Sequence, residues 1–368
     1  MPATAPISYG MFIMPYHYED KPLAQCYDED LELIVQCDEL GFDEFWIGEH
    51  HTLLREPIPL PEAFIARALP ETGQMRLGPA PVCLNQHNPA EIATRLAFLD
   101  HLAKGRLNLC FGPGGTPSDM EMFGLDPKQG GDMAREAIEM ILTLWTTEPP
   151  YDIDGQFWQI KMTEQFSEKI GCGYVLKPLQ QPHPPIAMPA VSRNSYSMKT
   201  AGKFGFQPFV AALVTANVAA EIWETYAEAA VEAGRTPDRA DFKLCRAIFL
   251  ADTTREAEER VRSNAMGENF MYVRTILDGA IGRGVFKRDD DVSDAEIDMD
   301  YFLREQIIAG DVDEVLRRLL GVIEETGPFG TLVNMNFDWD DRASWRRSNE
   351  LFAKELMPAL NKAVGVAA

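Results

Sequence analysis

Two adjacent imidazoles stand beside a carboxylate in the run Glu49-His50-His51, which follows an apolar segment. Histidine exchanges protons near neutral pH, so this run is a candidate for general acid and base catalysis. Two other interpretations stay open. The run would form part of a metal site if His87 and Asp338 joined it from other strand ends, although no H-x-H pair follows the first strand. It would otherwise only hydrogen-bond its own loop.

Two further segments are suited to a planar ligand. Asn85 lies in a polar run after the third apolar stretch, and its amide suits the polar edge of a ring, although such polarity is also ordinary where a helix begins. Gly112, Pro113 and Gly114 follow the fourth apolar stretch, where missing side chains let a ligand approach the backbone. These glycines match neither the G-x-G-x-x-G fingerprint nor a phosphate loop with its lysine.

A run of polar residues, Ser192, Arg193, Asn194 and Ser195, comes immediately before a predicted helix. Free amide N–H groups at a helix start, together with hydroxyls and a guanidinium, are a typical phosphate site. An ordinary Ser or Asn N-cap would give the same pattern, and the two interpretations stay open. Several apolar residues are expected to line a substrate pocket: Phe12, Phe111, Met120, Met122 and Phe123.

The elements that position these residues alternate regularly between strand and helix. Short apolar strands are predicted at 7–14, 42–48, 76–84, 106–111, 185–191, 206–213, 243–251 and 330–337, with amphipathic helices between them. Strands this apolar favour a parallel sheet buried on both faces. The expected fold class is α/β, a (β/α)8 TIM barrel with insertion loops at its C-terminal face, and a doubly wound open sheet is the alternative.

Residues 1–368 are expected to form one domain with two irregular segments. The segment 146–185 is rich in proline, glycine and aromatics, and is interpreted as an insertion or lid. The segment 284–300 carries Asp289-Asp290-Asp291 and few apolar residues, and is interpreted as a mobile acidic loop.

The composition makes some classes of binding partner unfavourable. The chain has 34 Lys and Arg against 57 Asp and Glu, a net charge of −23, which disfavours nucleic acids and anionic membrane surfaces. Its six cysteines form no C-x-x-C pair, and no apolar run approaches the ~20 residues of a membrane span. We therefore expect a soluble protein of the reducing cytoplasm.

The string from Gly41 to His51, GFDEFWIGEHH, resembles a segment of the bacterial luciferase-like monooxygenases. The resemblance continues through Asn88-Pro89, the glycines of 112–114 and further passages over nearly the whole chain, and is greatest for the limonene 1,2-monooxygenase and alkanal monooxygenase branch. It implies a luciferase-like barrel that uses reduced FMN from a separate flavin reductase, together with O2. The substrate would be a small apolar organic molecule such as a terpene, aldehyde or ketone.

The resemblance also implies roles for particular residues. The family's catalytic histidine falls on His50, with His51 beside it; the phosphate turn falls on 192–195; and the ring contacts fall near Asn85 and 112–114. Glu49 and Ala80 are assigned to the cofactor site as well, Ala80 because family barrels can bend the third strand through a cis peptide at this place. The alternative is a trans, bulged strand end marked by Pro79 and Pro81.

Related barrels pair as homodimers, and the predicted helix from Pro61 carries three apolar residues suited to that role: Phe64, Ile65 and Leu69. Two alternatives to the monooxygenase remain. One is a noncatalytic flavin-binding barrel, and the other is a metal-dependent barrel hydrolase centred on His50 and His51. We expect no metal.

Overall fold

A computed structural model describes residues 6–278 and 282–365. Its strands are β1 Ser8–Ile13, β2 Glu44–Ile47, β3 Arg76–Pro79, β4 Val82–Cys83, β5 Leu109–Gly112, β6 Tyr151–Asp154, β7 Gln159–Met162, β8 Ile186–Ala190, β9 Gln207–Val210, β10 Lys243–Leu250, β11 Ile307–Gly310 and β12 Thr331–Asn336. Its helices are α1 Leu23–Leu40, α2 Pro61–Ala68, α3 Pro89–Ala103, α4 Pro117–Met122, α5 Gly130–Thr146, α6 Tyr196–Phe204, α7 Ala216–Glu232, α8 Thr254–Val261, α9 Ala265–Asp278, α10 Met299–Glu305, α11 Val312–Thr326, α12 Arg342–Leu351 and α13 Met357–Ala363.

The central sheet is parallel and closes on itself. Its order is β3-β2-β1-β12-β10-β9-β8-β5-β4, with β11 beside β10. Closure comes from Leu77, whose N–H donates to Arg106 O at 2.9 Å and whose carbonyl accepts from Asn108 N at 3.0 Å. β3 and β4 are two halves of the third strand, and β11 is an additional short strand beside β10. The ring therefore consists of the eight strands of a (β/α)8 barrel. The barrel is confirmed over the open sheet.

The third strand breaks where a peptide bond departs from the trans form. The Ala80–Pro81 peptide is cis, as expected from the family resemblance. Before the break, β3 pairs with β2, and after it, β4 pairs with β5.

The core is continuous and mainly apolar, and one of its buried polar groups lies at the amino-terminal end of the barrel. There the Lys243 ammonium donates to Glu44 Oε2 at 2.7 Å, and Trp46 Nε1 donates to Glu44 Oε1 at 2.8 Å. Both charges are buried but paired and hydrogen-bonded. The amino-terminal end is thus sealed, which leaves the carboxyl ends of the strands for a ligand site.

The two irregular segments contain more structure than their composition indicated. The segment 146–185 contains the antiparallel hairpin β6–β7. In 284–300, Phe286 and Ile297 are fully buried, and Ser293 and Glu296 form a capping box. These contacts anchor the acidic segment, and its mobility stays a prediction.

Two further differences from the sequence expectations concern regular elements. The sequence predicts an amphipathic helix after the strand at 243–251, whereas two helices follow it at once, α8 ending at Val261 and α9 continuing to Asp278. The short strand β11 was not expected at all.

Candidate active site

One cavity of about 440 Å³ opens among the carboxyl ends of the barrel strands. This volume lies within the usual range for cofactor and small-molecule sites. Six predicted site residues line it: His50, Ala80, Pro113, Gly114, Ser192 and Ser195. Apolar residues that contribute to the rest of the wall are Phe12, Met14, Val191, Phe209, Leu213 and Met335.

One side of the cavity is formed by the start of α6. Ser195 is the N-cap residue but makes no side-chain capping hydrogen bond, and Ser192, Tyr196 and Ser197 also line the cavity. The Tyr196 hydroxyl donates to Asp132 Oδ1 at 3.0 Å, so the hydroxyls of Ser192, Ser195 and Ser197 and the first N–H groups of α6 are the donors available to an anion. The helix dipole favours negative charge there.

His50 lies at the cavity wall between two buried carboxylates. Its Nε2 is 3.0 Å from Glu56 Oε2, while its Nδ1 is 3.8 Å from Asp119 Oδ2 and 3.2 Å from Thr116 Oγ1. Burial disfavours the imidazolium, but hydrogen bonds and charge from Asp119 and Glu56 outweigh it and raise the pKa of His50 to about 9. The ring is thus protonated at neutral pH.

Asp119 holds the same loop from the other side. It accepts hydrogen bonds from the N–H of Thr52 at 2.7 Å and of His51 at 3.3 Å. Burial opposes its ionisation, but the hydrogen bonds from His50, Thr52 and His51 lower the pKa of Asp119 to about 2. The carboxylate therefore keeps its negative charge beside His50 across the neutral range.

Glu49 and His51 belong to a second network, with His87. Glu49 Oε1 is 3.2 Å from His51 Nε2 and 2.6 Å from His87 Nε2. One potential metal-binding atom from each of the three residues lies within 4.8 Å of the other two. Arg95, which can only donate, faces His87 Nδ1 at 3.4 Å. The proton of His87 therefore sits on Nε2 and is donated to Glu49. This tautomer favours a hydrogen-bond network over a metal site.

Asp338, the other ligand suggested for a metal, does not join that group. Its carboxylate contacts Lys21 at 2.6 Å and lies 3.6 Å from His17, on the far side of the loop after β1.

Four other residues that were predicted for the cofactor site do not line the cavity. The Asn85 amide donates to Gly130 O at 3.0 Å, and Gly112 packs against Pro81. The Arg193 guanidinium contacts Glu221 at 2.8 Å and Arg288 O at 2.5 Å. Asn194 has a positive φ of 52°, which turns the chain toward α6.

Of the apolar residues expected in the pocket, Phe12 lines it. Phe111 instead packs on Trp145 with ring centroids 6.4 Å apart, and Phe123 lies 5.0 Å from the His51 ring. Residues that the sequence analysis missed include Tyr196, Ser197, Phe209 and Met335 in the wall, and Glu56 and Asp119 beside His50.

The family model described as luciferase-like monooxygenase matches residues 7–328. The chain belongs to this family. This luciferase-like monooxygenase is 30% identical to 3,6-diketocamphane 1,6-monooxygenase of Pseudomonas putida, over 95% of this chain and 97% of that enzyme. It is 29% identical to limonene 1,2-monooxygenase of Rhodococcus erythropolis, over 98% of this chain and 88% of that enzyme.

A solved structure supports the same assignment. It is the oxygenating constituent of 3,6-diketocamphane monooxygenase from Pseudomonas putida, a type II Baeyer–Villiger monooxygenase in complex with FMN. It matches this luciferase-like monooxygenase with a TM-score of 0.86 and 30% identity, over 96% of this chain and 98% of that chain. The family, the barrel fold and the monooxygenase activity expected from the sequence are confirmed.

Proposed function

We propose that this chain is the oxygenase component of a two-component system that uses reduced FMN and O2 to oxygenate a small, neutral, apolar molecule. The observation that carries the proposal is a single cavity with an anion site at one side, a protonated imidazole at its wall and apolar side chains around the rest. Reduced FMN supplies the electrons that activate O2. The chain supplies binding, orientation, exclusion of water and a proton.

The wall of the cavity supports this choice of cofactor. The start of α6, with Ser192, Ser195 and Ser197, would receive the phosphate. Gly114, with φ of 75°, lies at the wall, where an added Cβ would be 3.0 Å from Gln86 Nε2. Ala80 lines the same cavity. Glu49, Asn85, Gly112, Arg193 and Asn194 then support the site from behind its lining.

The substrate is proposed to be a terpene-derived ketone, a terpene or an aldehyde. The relatives named above act on a diketocamphane and on limonene, by their names. Apolar residues such as Phe209, Leu213 and Met335 suit such molecules. His50 is the catalytic residue of this proposal, and His51 holds Glu49 in the neighbouring network.

The electron source is proposed to be a separate flavin reductase, since the chain has no dinucleotide fingerprint. A relative from Acinetobacter baylyi is itself named as the oxygenase component of a flavin-dependent trigonelline monooxygenase. All six cysteines are free thiols, which fits the proposed cytoplasmic location. Within the described residues, none of the helices combines the length and the apolar character required to cross a membrane.

A homodimer remains part of the proposal, but two of its three predicted interface residues are not available for it. Ile65 is fully buried and Leu69 is 9% exposed, so both pack in the core of their own chain, while Phe64 is partly buried against that core. Exposed apolar side chains lie instead on α3 and the segment after β7: Phe98, Leu102, Tyr174, Leu176 and Leu179. The hydrogen bond from His101 to Lys177 O at 3.0 Å joins these two regions into one surface.

The experiment is turnover with an added flavin reductase, NADH and FMN, against a panel of bicyclic ketones, terpenes and aldehydes. Oxygenated product that requires both the chain and the reductase supports the proposal. Flavin binding without product from any member would support the noncatalytic barrel. Consumption of NADH by the purified chain alone would contradict the two-component assignment.

A further inference from the structure

Glu56 is a buried carboxylate that the family resemblance did not single out. Its residue is 2% exposed, and its Oε2 lies 3.0 Å from His50 Nε2. The loop after β2 brings it there by folding back on itself. Glu56 N donates to Leu53 O at 3.1 Å, and His50 N donates to Ile58 O at 3.0 Å. The chain on both sides of Glu56 is therefore fixed relative to His50.

The neighbouring residue, Arg55, fastens this loop to two other parts of the barrel mouth. Its guanidinium lies 5.7 Å from the Tyr16 ring centroid and 5.6 Å from that of Tyr272, and it donates to the Tyr16 hydroxyl at 2.7 Å. Tyr16 follows β1 and Tyr272 belongs to α9. The loop that carries Glu56 thus has little freedom to move its carboxylate away from His50.

The opposite edge of the His50 ring faces Asp119, which belongs to α4, and Thr116, which immediately precedes that helix. The two carboxylates come from different segments of the chain and lie near different ring nitrogens. Glu56 Oε2 is within hydrogen-bond distance of Nε2, whereas Asp119 Oδ2, at 3.8 Å from Nδ1, acts through its charge and leaves the direct contact to the Thr116 hydroxyl. Two negative charges within about 4 Å of the ring favour the imidazolium over the neutral imidazole.

We propose that Glu56 is a positioning residue of the active site, which together with the charge of Asp119 holds His50 as an imidazolium whose Nε2–H is donated to Glu56. The inference deepens the proposed function and rests on the proposed role of His50. It assigns His50 to the donation of a proton in the cavity, not to the removal of one from a resting neutral state.

The charged and titratable groups around this unit are few. Glu56 and Asp119 face His50; Arg55, Tyr16 and Tyr272 face the Glu56 loop. Burial and the charge of Glu56 raise the pKa of Tyr272 to about 12, so this phenol stays neutral. The direction of the His50 shift follows from the two carboxylates, which prevail over burial.

The test is an NMR titration of histidine-labelled protein without flavin, with the His50 signals assigned from their loss in His50→Ala. In the unmodified chain we expect both His50 nitrogens to be protonated at pH 7.5. A neutral His50 at that pH would overturn the inference, whatever the variants do. Because no flavin or substrate is present, this failure is separate from failure of the proposed monooxygenase activity.

Variants isolate the contribution of Glu56. Glu56→Gln keeps an acceptor but removes the charge, and should lower the titration midpoint of His50 by ~1 unit or more. Glu19→Gln removes a half-exposed partner of Arg55 and should leave it unchanged. Glu56→Asp should restore part of the shift. An unshifted midpoint in folded Glu56→Gln, checked by its melting curve, would refute the role of Glu56.

A kinetic comparison separates positioning from general stability. In the reconstituted enzyme, Glu56→Gln should move the basic limb of the pH profile of kcat to lower pH while KM for substrate changes little. A loss of kcat that is the same at every pH would indicate a structural role only, and would contradict the proposal.

Discussion

Gly112 is in direct contact with Pro81. A Cβ atom built on Gly112 would lie 2.9 Å from Pro81 Cβ and 3.2 Å from Pro189 Cγ. Both neighbours are rings of the barrel wall and cannot swing aside as the end of a long side chain can. The glycine expected to admit a ligand therefore serves to let the third, fourth and fifth strands pack closely.

We expect Gly112→Ala to lower the free energy of unfolding by ~1–3 kcal/mol, the usual cost of forcing extra volume into a packed site. Gly115→Ala is the matched control, because an added Cβ there meets nothing within 4 Å. Chemical denaturation of both variants measures the difference. Equal stability of the two would show that the Gly112 contact relaxes freely.

The ion pairs of His17 predict a pH dependence of stability. His17 is 1% exposed, with Nε2 3.1 Å from Asp30 and Nδ1 3.6 Å from Asp338. Burial lowers its pKa, but hydrogen bonds and charge from these two carboxylates raise the pKa overall, from 6.5 to about 9. A raised histidine pKa means that the stabilisation is complete below about pH 6.5 and is lost as pH rises through about 9.

The contribution of His17 is ~3 kcal/mol at most over this window. Because His50 titrates in the same window, the measurement is a comparison of melting temperatures from pH 6 to 9.5. The decline should be flatter in His17→Gln than in the unmodified chain. A decline of equal slope in both proteins would count against the buried ion pairs.

Replacement of His50 by Ala should lower turnover by ~10²-fold or more, while the affinity for FMN changes little. His51→Ala should have a smaller effect, because His51 binds Glu49 behind the cavity. Steady-state kinetics with the reductase in excess gives both values. A larger loss of turnover from His51→Ala than from His50→Ala would show that His51, and not His50, is the catalytic histidine.

The phosphate site is tested by placing charge at the start of α6. Ser195→Glu should weaken FMN binding by ~10-fold or more, because a carboxylate would compete for the N–H groups and repel the phosphate. Riboflavin, which has no phosphate, is the control ligand, and its affinity should change much less. An equal loss of affinity for both ligands in Ser195→Glu would argue against a phosphate at this helix start.

The eight barrel strands were predictable because each is a buried apolar run between helices. β11 was not, because Ile307–Gly310 follows α10 after a single residue, and a short apolar run in that place is not distinguished from the end of a helix by its pattern. His50 was predictable because it follows the carboxyl end of β2 by three residues. Glu56 was not, since its approach to His50 depends on how a proline-rich loop folds back.

The pocket lining shows a second limit. Cys110 lines the cavity, while the adjacent Phe111 packs outward on Trp145. Successive side chains of a strand face opposite sides, so a shift of one residue exchanges cavity and core. Both faces of a barrel strand are apolar, and composition alone does not distinguish them. The same difficulty concealed Phe209 and Met335.

The central claim is most directly tested by one single-turnover measurement. The chain is mixed anaerobically with one equivalent of chemically reduced FMN and a bicyclic terpene ketone, and then exposed to ¹⁸O₂ with no reductase present. The account predicts a product that carries one ¹⁸O atom, in an amount limited by the flavin, with a much lower yield from His50→Ala. Reoxidation of the flavin with release of hydrogen peroxide, and no ¹⁸O in a product from any ketone, terpene or aldehyde of the panel, would contradict it.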